Sequence, residues 1–157
     1  MNFSYALSDV CNLIASSPRE APARIVEYLH DRFPHYDWVG IYWVEGPDLV
    51  LGPWKGPAAT EHTRIPIGKG VCGAAAASGR TEVVADVSKD ARYLACFTST
   101  KSEIVVPIRA GTRVIGEIDI DARELGAFGP EDQQFLEAVA ALLATLWPAV
   151  PATSSRA

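Results

Sequence analysis

Three acidic side chains alternate along one predicted strand. The segment reads Glu117-Ile118-Asp119-Ile120-Asp121, and a strand with period two presents the isoleucines on one face and the three carboxylates on the other. Carboxylates this close repel one another, so the cluster is unfavourable unless a cation lies against it. The pattern indicates a site for an amine or another small cation, although an ordinary solvated sheet face would show the same alternation.

A fourth acid is expected to join this cluster from the preceding strand. Segments 104–109 and 113–121 both have strand character, and Gly111-Thr112 between them is typical of a two-residue hairpin turn in which glycine supplies the positive φ. Such a turn pairs the strands so that Glu103 lies near the register of Asp121. We therefore expect up to four acids along one concave surface.

The chain contains three cysteines, an odd number that does not suit a permanent disulfide framework. Cys72 lies near the start of a short predicted helix, where backbone N–H groups favour a thiolate, so this thiol is a candidate for reactivity. Cys96 ends a long polar loop seven residues before Glu103, and from position alone it is either a small buried residue or a nucleophile. Cys11 lies beside the core face of the first predicted helix and is expected to have no chemical role.

Other motifs in the chain are weaker indications of function. Gly68, Gly70 and Gly73 form a G-x-G-x-x-G pattern with Asp86 downstream, as in dinucleotide-binding proteins. The preceding strand is short and contains Pro66, so we favour glycines that allow close packing. The histidines are not spaced as metal ligands and no G-x-S-x-G motif is present, so we assign no metal, no cofactor and no serine triad.

Composition limits the class of protein. The 157 residues, 48% of them hydrophobic, suffice for one core and not for two. A net charge of -5 without a basic cluster argues against nucleic acid as a partner. No apolar run approaches the roughly 20 residues that span a bilayer, and the first residues lack a secretion signal. We expect a cytoplasmic protein with one domain over residues 1–148 and a flexible tail over 149–157.

Periodicity predicts helices at both ends of the chain and strands between them. Helices are predicted over 2–15, 18–32, 74–77 and 130–147, and strands over 36–44, 49–54, 64–67, 81–85, 104–109 and 113–121. The second helix is expected to begin with a capping box at Ser17 to Glu20. Terminal helices around antiparallel strands indicate an α+β fold, with helices packed on one or both faces of a central sheet.

Five segments distributed along the chain form a specific set: 38–42 (WVGIY), 49–54 (LVLGPW), 64–73 (RIPIGKGVCG), 102–107 (SEIVVP) and 116–121 (GEIDID). As a set they resemble the free methionine-(R)-sulfoxide reductases, which are single GAF-domain enzymes. The resemblance runs over nearly the whole chain. It implies a GAF-like α+β fold, in which helices pack on a mostly antiparallel sheet of about six strands and a closed pocket lies above the sheet.

The resemblance also implies an activity and its residues. The activity is reduction of free L-methionine (R)-sulfoxide to methionine, with thioredoxin as reductant; a homodimer is expected at the level of the family only. By position, Cys96 matches the nucleophilic cysteine and Cys72 a second pocket cysteine. The residues that match the family's substrate-binding acids and aromatic pocket walls are Glu103, Asp119, Asp121, Trp38 and Tyr42.

The chain departs from the family's pattern at two places. The family usually has a third cysteine, which resolves the oxidised nucleophile, where this chain has Thr60-Glu61-His62-Thr63. Two routes remain: Cys72 resolves Cys96, or an external thiol attacks Cys96 directly. Glu117 occupies a position at which the family tends to be apolar. The alternative interpretation is a catalytically inactive GAF module that binds a small amino-acid-like ligand, for example as a sensor.

The acids fit the implied chemistry on physical grounds. They supply a counter-charge for the ammonium of a free amino acid, and its binding relieves their mutual repulsion. They should also raise the pKa of a nearby thiol, which disfavours a thiolate nucleophile. This difficulty is reduced if one carboxyl, whose own pKa is raised by its neighbours, protonates the sulfoxide oxygen. The thiol then attacks sulfur, and the resulting sulfenic acid condenses with a second thiol to a disulfide that thioredoxin reduces.

Overall fold

The computed structural model describes residues 2–95 and 97–147. Within them the elements are, in chain order, α1 (Phe3–Ser16), α2 (Ala21–Arg32), β1 (Trp38–Glu45), β2 (Asp48–Lys55), β3 (Arg64–Pro66), α3 (Gly70–Ser78), β4 (Glu82–Val84), β5 (Ser102–Ala110), β6 (Arg113–Ala122) and α4 (Pro130–Ala144). A 3-10 turn over Val87–Lys89 follows β4. The predicted tail at 149–157 and Cys96 lie outside the described residues.

The six strands form one sheet in the order β3-β2-β1-β6-β5-β4, and every neighbouring pair is antiparallel. Strands β5 and β6 are joined by the predicted tight turn, in which Gly111 has φ 65° and Ala110 pairs with Arg113. The register that follows sets Glu103 opposite Asp121. The predicted α+β fold and this register are confirmed.

Helices cover both faces of the sheet. On one face, Ile118 and Ile120 of β6 are fully buried in a core that includes apolar residues of α1, α2 and α4. On the other face, α3 packs with β1, β2 and β5 in a second apolar cluster that includes Val71 and Val105. The alternation along β6 therefore separates a purely apolar layer from the layer that contains the acids. Among the described helices, none combines the length and the apolar character that crossing a bilayer requires.

The start of α2 differs from the prediction. The helix begins at Ala21 and has Pro22 in its first turn, while the three residues before it form a separate turn. The Ser17 hydroxyl donates to the Glu20 carboxylate at 3.2 Å, so the two expected side chains do meet, but not as a cap of helical N–H groups. The physical reason is that Pro22 suits the first helical turn as well as Pro18 does, because proline has no N–H to satisfy there.

The start of α4 is fixed by the Asp132 carboxylate. Oδ2 of Asp132 accepts from the Gly129 N–H at 3.0 Å, and Oδ1 accepts from the Tyr36 hydroxyl at 2.7 Å and lies 2.8 Å from Nε2 of His35. Burial by itself would raise the pKa of Asp132, but the hydrogen bonds from His35, Tyr36 and Gly129 outweigh burial and lower it. The charged carboxylate thus joins α4 to the segment that precedes β1.

We expect Asp132→Ala to lower the free energy of unfolding by about 2 kcal/mol at pH 7, because it removes a helix cap and leaves the buried Tyr36 hydroxyl without its acceptor. Since folding lowers the pKa of Asp132, its contribution is present above the ordinary pKa and is lost as the pH falls through the folded value. The control is Glu131→Ala, an exposed acid of the same turn, for which a few tenths of a kcal/mol are expected. Urea unfolding at pH 7 and pH 3 measures both, and equal losses for the two variants would contradict the anchoring role.

Candidate active site

The carboxylates on β6 are buried. Residue exposure is 0% for Glu117, 2% for Asp119 and 3% for Asp121, and Glu103 on the neighbouring strand is 5% exposed. The pairing of β5 with β6 puts Glu103 opposite Asp121 and Val105 opposite Asp119. The four acids therefore share one covered face of the sheet, and the alternative of an ordinary solvated face is wrong.

Three of these buried acids, Glu117, Asp119 and Asp121, have no basic counter-ion among the described residues. Oδ1 of Asp119 and Oδ1 of Asp121 also have no hydrogen-bond donor within the described parts of the chain. A buried charge without a partner is strongly unfavourable, so these carboxyl groups must hold protons or bind a cation.

Protonation is the response that the pKa shifts indicate. Burial raises the pKa of Glu117 and Asp121 well above the ordinary values, and the charge of Asp119 raises both further. Burial also raises the pKa of Asp119, against the effect of hydrogen bonds with Glu103 and Cys72. The cluster therefore retains protons at a pH at which exposed carboxyl groups are ionised.

The Cys72 thiol lies directly over the acids. Its Sγ is 3.8 Å from Oε1 of Glu103, and a sulfur and two carboxylate oxygens, from Cys72, Glu103 and Asp119, all lie within 4.8 Å of one another. Burial raises the pKa of Cys72 well above its ordinary value, and the charges of Asp119, Glu117 and Glu103 raise it further. Our expectation that the start of α3 favours a thiolate is wrong, because burial and the acids outweigh the helix N-terminus.

The glycine pattern before Cys72 brings α3 close to the preceding turn. Gly68 and Gly70 have φ 96° and 70°, and a Cβ on Gly73 would lie 2.8 Å from the carbonyl oxygen of Pro66. The Gly68 N–H also donates to the Gly73 carbonyl at 2.8 Å. The close-packing interpretation is confirmed, and β3, with three residues in an antiparallel sheet, does not provide a dinucleotide-binding unit.

Trp38 and Tyr42, which the resemblance assigns to the wall of the pocket, lie on β1 beside the acids. Trp38 pairs with Asp121 and Tyr42 pairs with Glu117 across the β1–β6 ladder. Both side chains are buried, and the Tyr42 hydroxyl donates to the carbonyl of His62 at 2.7 Å. The segment in place of the usual third cysteine therefore contacts a predicted wall of the pocket.

Cys96 lies outside the described residues, but the residues on either side of it contact this region. The Ala95 carbonyl is 3.3 Å from Nε2 of His62, and the Phe97 ring lies 6.1 Å from the Trp38 ring. Sequence reasoning missed Thr100, whose side chain hydrogen-bonds to Asp121. A threonine in an irregular loop gives no periodic signal that could have identified it.

Comparison with known proteins agrees with this site. The GAF domain profile matches residues 18–147. A protein of Escherichia coli (strain K12) named free methionine-R-sulfoxide reductase is 39% identical over 115 residues, which are 73% of this chain and 68% of that protein. The chain belongs to the free methionine-R-sulfoxide reductase family. Its GAF fold places it among the GAF-domain proteins as well.

Solved structures of the family superpose on this chain. A type II free methionine-R-sulfoxide reductase from Thermoplasma acidophilum is 41% identical with a TM-score of 0.79, over 82% of this chain and 90% of that one. A free methionine-R-sulfoxide reductase from Neisseria meningitidis, solved in complex with its substrate, is 36% identical with a TM-score of 0.85, over 91% of this chain and 86% of that one. The shared structure therefore extends beyond the sheet to nearly the whole described chain.

Glu117 permits a direct test of the buried charge. Its folded-state pKa lies well above the ordinary 4.5, so the folded protein binds this proton more tightly than the unfolded chain does. Its contribution to stability is then full below the ordinary pKa and declines as the pH rises towards the folded value. Glu117→Gln removes this decline, so the variant should match the wild type near pH 4 and be more stable at pH 8 by about 1 kcal/mol or more.

Thermal and urea unfolding across this pH range measure the difference between the two proteins. The matched control is Glu124→Gln, an exposed acid two residues beyond β6, for which no pH-dependent difference is expected. A Glu117→Gln protein whose stability relative to the wild type is the same at both pH values would contradict the buried, protonated state.

Proposed function

We propose that this protein reduces free L-methionine (R)-sulfoxide to methionine, with Cys96 as the nucleophile and thioredoxin as the reductant. The observation that carries the proposal is that Glu117, Asp119 and Asp121, buried beside the Cys72 thiol, have no basic counter-ion among the described residues. The α-ammonium of a free amino acid provides the missing positive charge, and its hydrogen bonds to carboxylates are of the charge-assisted kind. The names of the relatives support the same substrate.

The closed site favours a free amino acid over a methionine sulfoxide within a protein. Glu103, Asp119 and Cys72 are each no more than 6% exposed, so a polypeptide cannot pass through the site without opening it. A peptide-bound residue also carries an amide in place of the ammonium and leaves the acids uncompensated. In the proposed complex, Glu103, Asp119 and Asp121 bind the ammonium, and the sulfoxide end lies towards Trp38 and Tyr42.

The chemical step uses the raised pKa of the carboxyl cluster. A protonated carboxyl donates its proton to the sulfoxide oxygen, which makes the sulfur more electrophilic. Sγ of Cys96 attacks that sulfur and forms a sulfur–sulfur bond. The protonated oxygen then moves from the substrate sulfur to Sγ as the sulfur–sulfur bond breaks, so that methionine leaves and Cys96 is left as a sulfenic acid. Methionine sulfoxide gains two electrons, Cys96 loses two, and the thiol proton returns to the carboxyl.

Recycling requires a second thiol. We assign the resolving role to Cys72, whose thiol condenses with the sulfenic acid to a disulfide and releases water. Reduced thioredoxin then restores both thiols and is itself oxidised to a disulfide. Because this cycle needs a reducing compartment, we place the protein in the cytoplasm, with residues 1–148 acting as one domain. That the protein forms a homodimer is a proposal taken from the family.

We expect Cys96→Ser to abolish turnover of free methionine (R)-sulfoxide, because serine cannot form the sulfenic acid. Cys11→Ser is the control, since Cys11 is exposed on α1 and should leave turnover unchanged. The assay uses both sulfoxide epimers, free and peptide-bound, with thioredoxin recycling, and only the free (R) epimer should be consumed. Turnover retained by Cys96→Ser would falsify the nucleophile assignment.

Cys72→Ser should separate the first turnover from recycling. The single-turnover rate is expected to change little, while the steady-state rate with thioredoxin falls by about tenfold or more, because the disulfide cannot form. Mass spectrometry after one equivalent of sulfoxide should show a Cys72–Cys96 bond in the wild type and a sulfenic acid in the variant. Steady-state rates that are equal in both proteins would remove the resolving role, and thiols that stay reduced in the wild type would favour the ligand-binding sensor instead.

A further inference from the structure

The thiol and the acids also have the geometry of a metal-binding site. Zn²⁺ binds thiolate sulfur at about 2.3 Å and carboxylate oxygen at about 2.0–2.2 Å in a tetrahedron, which places the two ligand atoms about 3.5–3.7 Å apart. Sγ of Cys72 lies 3.8 Å from Oε1 of Glu103, and Asp119 adds an oxygen within 4.8 Å of both. Shifts of a few tenths of an ångström for Glu103, and somewhat larger ones for Asp119, bring all three donors to ligand distance.

Glu117 provides a second and independent indication of a cation here. Its carboxyl is fully buried beside the Cys72 thiol. Apart from that thiol, neither Oε atom has a hydrogen-bond partner among residues 2–95 and 97–147. Glu117 lies on the same face of β6 as Asp119, so it can act as a fourth ligand or as a neighbouring counter-charge. A buried carboxyl in this state is rare unless the site takes up a ligand.

We propose that Cys72, Glu103 and Asp119 form a binding site for a thiophilic divalent cation, which Zn²⁺ fits best. Sulfur among the donors selects zinc over Mg²⁺ and Ca²⁺, which prefer sites made of oxygen atoms alone. Binding forms a sulfur–zinc bond, breaks the S–H bond of Cys72 and releases that proton to solvent, together with any proton held by the two carboxyls. Affinity should therefore rise with pH.

The cation and the proposed substrate would use the same groups. The metal occupies the acids that bind the ammonium and takes the Cys72 thiol out of recycling, so it acts as a reversible inhibitor that also shields the thiol. This inhibitory consequence rests on the proposed function, whereas the metal site itself does not. This site could not be predicted from sequence motifs, because its donors come from α3, β5 and β6 and their spacing in the chain resembles no zinc motif.

The test is a titration of the reduced, full-length protein with Co²⁺, whose bond to a thiolate gives a charge-transfer absorption band that surface carboxylates and histidines do not give. In the wild type and in Cys11→Ser, we expect the band to reach its full intensity at one equivalent of Co²⁺ per protein. Added Zn²⁺ should displace the Co²⁺ and abolish the band. Cys72→Ser should lack the band, and Cys96→Ser should keep it. A band retained in Cys72→Ser, or one lost in Cys96→Ser, overturns the proposed donor set.

Asp119→Asn retains the Cys72 thiol, whose absorption band with Co²⁺ reports binding, and so tests the contribution of a carboxylate to the site. Its affinity for Co²⁺ should fall by at least about tenfold, and an unchanged affinity overturns the site; circular dichroism checks that each variant is folded. Free methionine should lower the apparent Co²⁺ affinity of the wild type. If methionine does not affect the Cys72-dependent band, the proposal that cation and substrate share one pocket is overturned, while the metal site stands. The turnover assay decides separately whether the reductase activity is present.

Discussion

The cost of burying like charges governs this structure. Glu117, Asp119 and Asp121 lie on one strand face and Glu103 opposite, all at most 5% exposed. Burial and mutual repulsion both disfavour the ionised state, so the site is favourable only with bound protons or with a bound cation. Since Glu117, Asp119 and Asp121 have no basic counter-ion among the described residues, a bound cation would balance their charge, and selectivity for a cationic ligand follows from the same deficit.

The rest of the fold holds these acids in place, and its packed core offsets the cost of burying them. The tight turn at Gly111 fixes the register of β5 and β6, and the isoleucines on the opposite face of β6 are packed against helices. Slippage by one residue would exchange the acids with this apolar layer, so the core resists it strongly. Helix α3 closes the site from above, and Gly73 is required because a Cβ there would clash with Pro66.

The sequence pattern predicted the structural features that depend on residues close together in the chain. The alternation along β6 and the turn at Gly111 were sufficient for the register of Glu103 and Asp121, and the six strands followed from periodicity along the chain. The depth of burial was not predictable, because it depends on α3 covering the face, a contact between distant segments. Two opposing effects on Cys72 were predicted, a helix start that favours the thiolate and nearby acids that disfavour it. Which of them is larger was not predictable, because the acids come from β5 and β6 and their distance from the thiol depends on the packing of α3. The role of Cys96 stays a prediction.

The raised pKa of Cys72 is compatible with a resolving role if a bound ammonium changes the electrostatics of the site. In the protein alone, burial and three carboxyl groups disfavour the thiolate, which also limits adventitious oxidation, since the thiolate is the reactive form. An ammonium bound to Glu103 and Asp119 offsets the nearest negative charges and lowers the pKa of the thiol beside them. Methionine keeps this ammonium after losing its oxygen. In the proposed cycle, Cys72 is therefore more nucleophilic towards the sulfenic acid while methionine remains bound than it is in the resting protein, and the charge proposed for binding would also promote the second chemical step.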